Sequence, residues 1–278
     1  MIDEGEPIVI DEGEPIVIDE DNIPKRVMMK VTHNLTKIEK EQRILRRHES
    51  DREVFEEVFD KSTLMILYHI MNTGIFSILN GVVASGKESR VYWGVTDKNK
   101  NVAVKIYLIT CVEFKNRLQY IVDDPRFNSV KKGMRNIVKL WARKEFKNLR
   151  TAYNAEIPVP KPIYVKDNVL VTQFIGEDGV HAPTLNVCEV SQKYYTEILE
   201  IISKLYKAKL VHADLSEYNI FLHNNKIMLF DFGSAVHIAH PNAEQFLIRD
   251  ISNINRFFNK KGFDVYELKR AMEMVKKD

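Results

Sequence analysis

Apolar positions in this chain alternate between helical and strand spacing. Val54, Phe55, Val58 and Phe59 recur at helical intervals, and Lys61-Ser62-Thr63 offers a cap for a second helix through Leu64, Leu67, Tyr68 and Met71, stopped by Gly74. From Gly81 the period shortens. Residues 81–95 and 102–107 are β-branched and aromatic stretches around polar turns, which predicts an antiparallel strand–loop–strand–turn–strand. Residues 110–132 carry no period, and 133–153 read as a long helix with Ile137, Leu140, Trp141 and Phe146 on its apolar side. Short strands are expected at 163–165 and 169–174, then a helix over 191–207. A hairpin follows, with arms 220–222 and 227–230 around a turn at 223–225, and the remainder is mostly helical. Antiparallel strands and helices together make this an expected α+β chain.

Composition adds few constraints. At 278 residues, 45% hydrophobic and 29% charged, the chain can bury a substantial core. Cys111 and Cys188 have no metal-type spacing, which fits a reduced, cytoplasmic protein. The N-terminus opens acidic, without the apolar stretch of a signal peptide. The most apolar window, 64–79, is too short to span a bilayer and is broken by His69, Asn72 and Gly74. No membrane association is expected.

Charge is distributed unevenly. Residues 1–22 hold nine acids and no base, leaving 41 bases against 30 acids in the rest. This tail repeats an eight-residue unit, Ile2-Asp-Glu-Gly-Glu-Pro-Ile-Val9 and then Ile10 to Val17, whose Pro, Gly and mutual repulsion oppose a packed core. It is expected to be disordered, although its Ile-Val pairs offer material for a strand on a neighbouring sheet edge. The basic remainder suits a polyanionic partner, RNA or ATP, or a simply solvated surface. Lys139, Arg143, Lys144, Lys147 and Arg150 form a basic helix that suits rRNA phosphates, or again a solvated face.

The chemistry is concentrated in the string His212-Ala213-Asp214-Leu215-Ser216-Glu217-Tyr218-Asn219 and in Asp231-Phe232-Gly233. Phosphoryl transfer needs a lysine on phosphate oxygens, oxygen ligands for a divalent cation, and a carboxylate beside the attacking oxygen. Asp214 follows the strand-like Leu210-Val211 and precedes Asn219 by five positions, the spacing of a kinase catalytic loop. Asp231 ends the hairpin twelve residues after Asn219, which adds a second carboxylate. Lys105 in Val102-Ala103-Val104-Lys105 matches the kinase strand whose lysine contacts ATP phosphates, and Glu145, in helical phase with Trp141 and Leu149, is its expected partner.

Gly81-x-x-x-x-Gly86-Lys87 nearly spells a P-loop, but Glu88 stands where Ser or Thr should be, and a strand follows instead of a helix. The match reads as fortuitous. A Ser-Gly turn over phosphates, with Ser85 and Lys87 as contacts, fits better. His237-x-x-His240 lacks a third ligand and precedes Pro241, so both read as surface histidines.

Taken together, the motifs resemble the RIO family of atypical serine protein kinases, and most closely its first subfamily. The resemblance runs from about Asp51 to Phe258 and also rests on Val58-Phe59-Asp60-Lys61-Ser62-Thr63-Leu64-Met65, Ala84-Ser85-Gly86-Lys87-Glu88-Ser89 and His240-Pro241-Asn242-Ala243. It implies a trimmed two-lobed protein-kinase-like fold, with an antiparallel N-lobe sheet plus helices and a mainly helical C-lobe. On that plan residues 1–22 are the acidic tail, 23–80 a helical extension, 81–175 the N-lobe with a flexible loop at 110–132, and 176–278 a C-lobe without peptide-binding subdomains.

The resemblance further implies ATP with magnesium or manganese, autophosphorylation on serine, ATPase activity, and work on the maturing small ribosomal subunit and its rRNA. Carried over by position, Asp214 is the base, Asn219 and Asp231 hold the metal, and Lys105 and Glu145 position phosphate. Gln173 and Ile175 offer hinge backbone groups to adenine. Asp231 is also a candidate phosphoryl acceptor, and Ser129 a candidate autophosphorylation site. The chain departs from the family at Ala84-Ser85, Ser89-Arg90 and Gln173, so the loop's own phosphate contacts differ. Ala213 replaces the arginine of His-Arg-Asp, no Ala-Pro-Glu follows Gly233, and 45 residues remain after it, so broad peptide phosphorylation is not expected. Two readings follow: a phosphotransferase or ATPase, and a nucleotide-sensing assembly factor that binds RNA. Intact Lys105, Asp214, Asn219 and Asp231 favour the first.

Overall fold

A computed structural model describes residues 60–109, 117–121, 124–127 and 133–277, together with 9–10. The expected helix at 54–59, the rest of the acidic tail and Ser129 lie outside the described residues. The chain divides into two compact units. The first comprises Met1–Val112, Gly133–Arg143 and Pro162–Val180; the second comprises Glu113–Lys132, Lys144–Lys161 and His181–Asp278.

In the first unit, helix α1 (Lys61–Asn72) already includes the Lys61-Ser62-Thr63 segment expected to cap it, and the cap lies one residue earlier. Asp60, not Ser62 or Thr63, is the N-cap, and its carboxylate accepts the Thr63 N–H at 2.7 Å. The hydroxyl of Thr63 turns inward instead and accepts from Asn168 Nδ2 at 3.0 Å, where Thr63 is buried with Ile66, Leu67 and Ile70. The helix stops before Gly74, whose φ of +77° suits only glycine without strain.

The sheet has the order β1-β5-β6-β4-β3-β2. Its strands are β1 (Val9–Ile10), β2 (Ile78–Ser85), β3 (Ser89–Val95), β4 (Asn101–Tyr107), β5 (Pro162–Lys166) and β6 (Val169–Gln173). β2 starts earlier than the pattern suggested, because Ile78 and Leu79 pair with Val95 and Gly94 across a bulged register. β1 lies parallel on the β5 edge, Val9 opposite Tyr164 and Ile10 opposite Val165, so the acidic repeat does contribute one strand. The other pairs are antiparallel. On β4 the alternation of a half-covered strand is explicit: Val102, Val104 and Ile106 are buried, whereas Asn101, Ala103 and Lys105 take the other face.

Helix α2 (Met134–Asn154) begins in the first unit and continues in the second. The second unit also holds α3 (Gln192–Lys207), α4 (Ala243–Lys260) and α5 (Leu268–Lys276), with a two-stranded pair of β7 (Leu210–Val211) and β10 (Val236–His237) and a hairpin of β8 (Ile220–His223) and β9 (Lys226–Leu229). Ile198, Ile202, Leu215, Leu229, Phe232, Ile251, Ile254 and Phe258 are among its fully buried apolar side chains. Described parts of the aperiodic 110–132 stretch are packed: Tyr120, Ile121 and Phe127 are buried, and the Tyr120 ring lies 5.2 Å from that of Phe246. Among the described residues no helix is long and apolar enough to cross a membrane.

Candidate active site

The hairpin is the first part of the site to be fixed by local chemistry. Asn224 and Asn225 occupy left-handed backbone with φ of 50° and 57°, the requirement of a two-residue type I′ turn, and asparagine tolerates it better than most residues. That turn sets the register from His223↔Lys226 to Ile220↔Leu229. One further rung, Phe230 N–H to the Asn219 carbonyl at 3.1 Å, brings Asn219 beside the residue preceding Asp231. Phe221 and Phe230 stack at 3.9 Å on the hairpin.

The loop before the hairpin folds back on itself. Asn219 Nδ2 donates to the Asp214 carbonyl at 2.8 Å, which turns the amide oxygen away from that carbonyl. Asp214 is half-buried and Asp231 exposed. The three sequence-predicted residues Asp214, Asn219 and Asp231 thus lie on one short, cross-linked stretch of the second unit. Two carboxylates and an amide oxygen form a hard-oxygen set of the kind magnesium takes alongside phosphate and water. Among the described residues there is no cluster of three or more His, Cys, Asp and Glu side chains arranged as an all-protein metal cage.

Helix α4 holds this loop from beneath. Asp250, almost wholly buried, accepts the N–H of Ala213 on one oxygen and that of Leu215 on the other, each at 2.8 Å. Arg249 donates to the Ala213 carbonyl and Asn253 to that of Leu215 at 3.0 Å. Burial lifts the Asp250 carboxyl to about 7, against the two N–H groups and Arg249, which favour the charged form. Ala213 itself has φ of +65°, left-handed backbone held in place by these bonds.

His212 is buried, donates through Nε2 to the Phe230 carbonyl at 3.0 Å, and meets the Phe232 ring edge-on at 4.7 Å. Its Nδ1 is buried without a hydrogen-bond partner. Burial pushes the imidazole down to about 4, so it is neutral and serves as a strut between the loop and the hairpin.

After Asp231, itself at φ +61°, the turn 232–235 is gripped by α2. Lys144 Nζ donates to the Gly233 carbonyl at 2.8 Å and also to that of Ala235. Asn148 Nδ2 donates to the carbonyls of Phe232 at 2.9 Å and Ala235 at 2.8 Å. Arg126 joins Asn148 Oδ1 at 2.8 Å to Asp124 Oδ2 at 2.6 Å, and Arg117 reaches Ser234 Oγ at 3.0 Å. Burial resists ionisation of Asp124, but Arg126 outweighs it and holds that carboxyl below its usual range. Burial lowers Lys144 to about 7.

Two sequence expectations are corrected here. Lys144, placed on a solvated or RNA-facing basic helix, is fully buried: it shares the inward face with Trp141, three residues before it, and Asn148, four after. Lys139 is paired with Asp167 at 2.8 Å, and of that set only Arg143 and Lys147 are exposed. His240, expected on the surface, is buried and donates through Nε2 to the Gln119 carbonyl at 3.0 Å, while its Nδ1 accepts the Asn242 N–H. The structural residues Asp250, Asn148, Arg117, Asp124 and Arg126 carried no motif.

The other predicted residues belong to the first unit, apart from Glu145, which is buried in the second beside Trp141 and Leu149 as its phase required. Lys105 stands opposite Val91 on β3 and Leu170 on β6, its Nζ 5.1 Å from the Tyr107 ring centre. Ser85 and Lys87 are exposed at the β2–β3 turn, where Gly86 N–H meets the Ser89 carbonyl at 2.9 Å; a strand follows, so the P-loop likeness is fortuitous. Gln173 ends β6, and Phe174 N–H reaches the Asn101 carbonyl at 3.4 Å before Ile175 leaves the sheet.

A sheet with Lys105 on an inner strand, and a catalytic-type loop cross-linked to a hairpin that ends in Asp231-Phe232-Gly233, define the α+β protein-kinase-like class. Comparison with known proteins agrees. The RIO domain model matches residues 90–271. The RIO-type serine/threonine-protein kinase Rio1 of Haloferax volcanii is 38% identical over 213 residues, covering 76% of this chain and 73% of that protein. Serine/threonine-protein kinase RIO1 of Homo sapiens is 35% identical over 261 residues, covering 91% of this chain and 46% of its own. In solved structures, the Rio2 kinase–ADP/Mg2+–phosphoaspartate complex from Chaetomium thermophilum shares the fold, with a TM-score of 0.61 at 22% identity, over 77% of this chain and 66% of that one.

The chain belongs to the RIO family and groups with its RIO1-type members. It spans 40% of the Dictyostelium discoideum relative and 46% of the human one, less than half the length of either.

Proposed function

We propose that the protein is an ATP-dependent atypical serine/threonine kinase with ATPase activity. The observation that supports this most directly is the pair of bonds made by Asn219, to the Asp214 carbonyl at 2.8 Å and from Phe230 N–H at 3.1 Å, which ties a would-be base to two would-be metal ligands. Asp214 takes the proton of the attacking hydroxyl or water. The attacking oxygen bonds to the γ-phosphorus as the bond to the bridging oxygen breaks, and ADP departs. Asn219 and Asp231 would hold magnesium, or manganese in its place, which would offset charge on the phosphate oxygens. Lys105 and Glu145 form the phosphate-positioning pair, Ser85 and Lys87 reach phosphate from the β2–β3 turn, and backbone groups of Gln173 and Ile175 take the adenine edge.

Asp231 serves a second role in this reading, because its carboxylate is exposed. It attacks the γ-phosphorus to give an aspartyl phosphate and ADP, and water then cleaves the acyl phosphate to restore the carboxylate. The Chaetomium Rio2 complex is described as holding a phosphoaspartate. The family resemblance supports a reading in which the protein acts on maturing small ribosomal subunits in the cytoplasm and autophosphorylates on serine.

The test is single-turnover ATP hydrolysis by wild type and Asp214→Ala, with and without small-subunit particles. Loss of about 100-fold or more in the variant is expected; equal rates would remove Asp214 from the chemistry. A hydroxylamine-labile adduct, absent in Asp231→Asn, is expected during turnover, and a wild type that never forms it would exclude the covalent route.

A further inference from the structure

Ala213 stands where other kinases carry the arginine that grips a phosphorylated activation segment, so order in the residues after Asp231 must come from elsewhere. In this chain every residue of the turn 232–235 is engaged. The Phe232 carbonyl takes Asn148, that of Gly233 takes Lys144, that of Ala235 takes both, and Ser234 Oγ takes Arg117. The turn is closed on itself by Ala235 N–H to the Phe232 carbonyl at 3.2 Å. Upstream, Phe230 N–H is fixed to Asn219. Asp231 therefore sits, exposed and at φ +61°, between two anchored ends.

Lys144 and Asn148 are both wholly buried, one turn of α2 apart. Burying an ammonium against carbonyl oxygens is costly where an apolar side chain would pack as well. The arrangement is explained if the carbonyls must be held at fixed points. Asn148 is in turn oriented by Arg126, and Arg126 by buried Asp124, so the donors themselves are braced from residues 124–126.

We infer that Lys144 and Asn148 are positioning residues, a clamp from α2 that fixes the turn 232–235 and thereby aims the Asp231 carboxylate at the metal. This rests on the proposed role of Asp231 in binding the metal. The clamp does constitutively what a phosphorylated segment does by switching, and it acts through backbone, so the sequence of the turn does not reveal it.

Lys144→Met and Asn148→Asp keep side-chain size while removing the donated bonds. Two measurements are made on folded variants, verified by cooperative thermal unfolding. Amide hydrogen exchange in a peptide covering 228–237 is expected to rise about tenfold, while α3 stays protected. Manganese titration followed by electron paramagnetic resonance, with ADP present, is expected to show half-saturation raised about tenfold or more, with metal-free ADP affinity unchanged. Faster exchange with unaltered manganese affinity would overturn the inference, since the clamp would then be structural only; unaltered exchange would overturn it outright. If wild type itself binds no manganese with ADP, the functional reading fails, and the clamp's role in metal binding with it. The exchange result needs no metal and identifies that case separately. Should Lys144→Met not fold, Arg117→Ala loosens the same turn from a half-buried position and is held to the same two outcomes.

Discussion

Asp250 and Ala213, thirty-seven residues apart, are joined at 2.8 Å by a carboxylate oxygen and a main-chain N–H, and the second oxygen takes Leu215 at the same distance. The side chain braces the peptide groups on either side of Asp214 without touching the reaction. Asp250→Ala orphans both N–H groups and is expected to cost about 3 kcal/mol of stability. Asp250→Asn keeps one acceptor and should fall between the two. Urea unfolding at neutral pH ranks the three proteins, and an alanine variant as stable as wild type would refute the brace.

His212 links stability to pH. Its imidazole titrates near 4 in the folded protein and near 6.5 when unfolded, because burial excludes the charged form. The unfolded chain therefore binds a proton that the folded chain refuses. The resulting stabilisation is complete above 6.5 and is lost as pH falls towards 4, by about 3 kcal/mol in all. Relative to His212→Gln, wild type should lose its stability advantage over that interval; parallel pH profiles would contradict the assignment.

Asp60 caps α1 and also meets Arg135 at 2.8 Å in an exposed pair. Caps contribute about 1 kcal/mol, exposed pairs much less. Asp60→Ala is therefore expected to lower stability by about 1 kcal/mol and Arg135→Ala by under about 0.5. Equal losses on chemical denaturation would assign the effect to the ion pair.

Asn225, at φ 57°, tests the hairpin that aligns Asn219 with Asp231. Asn225→Gly is expected to be neutral or slightly stabilising, whereas Asn225→Val should cost about 1–2 kcal/mol and slow ATP turnover. A valine variant with wild-type turnover would mean that the turn does not govern the site.

Much of this was legible in local sequence. The hairpin arms, the helix through Trp141 and Glu145, and the spacing of Asp214, Asn219 and Asp231 depend on contacts a few residues apart, which periodicity and turn chemistry report. Where the pattern misled, a partner distant in sequence decided the outcome. Thr63 read as a cap, but the hydroxyl bonds to Asn168, 105 residues on, leaving Asp60 to cap. His240 read as exposed until Gln119, 121 residues earlier, supplied its acceptor.

The sequence by itself determined which groups are present for chemistry and their local order: Lys105 on a strand, Asp214 and Asn219 on one loop, Asp231 at a hairpin end. Only tertiary structure decided what holds them. Asp250, Lys144 and Asn148 act on main-chain N–H and carbonyl groups 35 to 91 residues away, and every residue but proline offers those same groups. No side-chain pattern at the receiving end marks such a bond, so it became visible only when the helices and the loops were brought together.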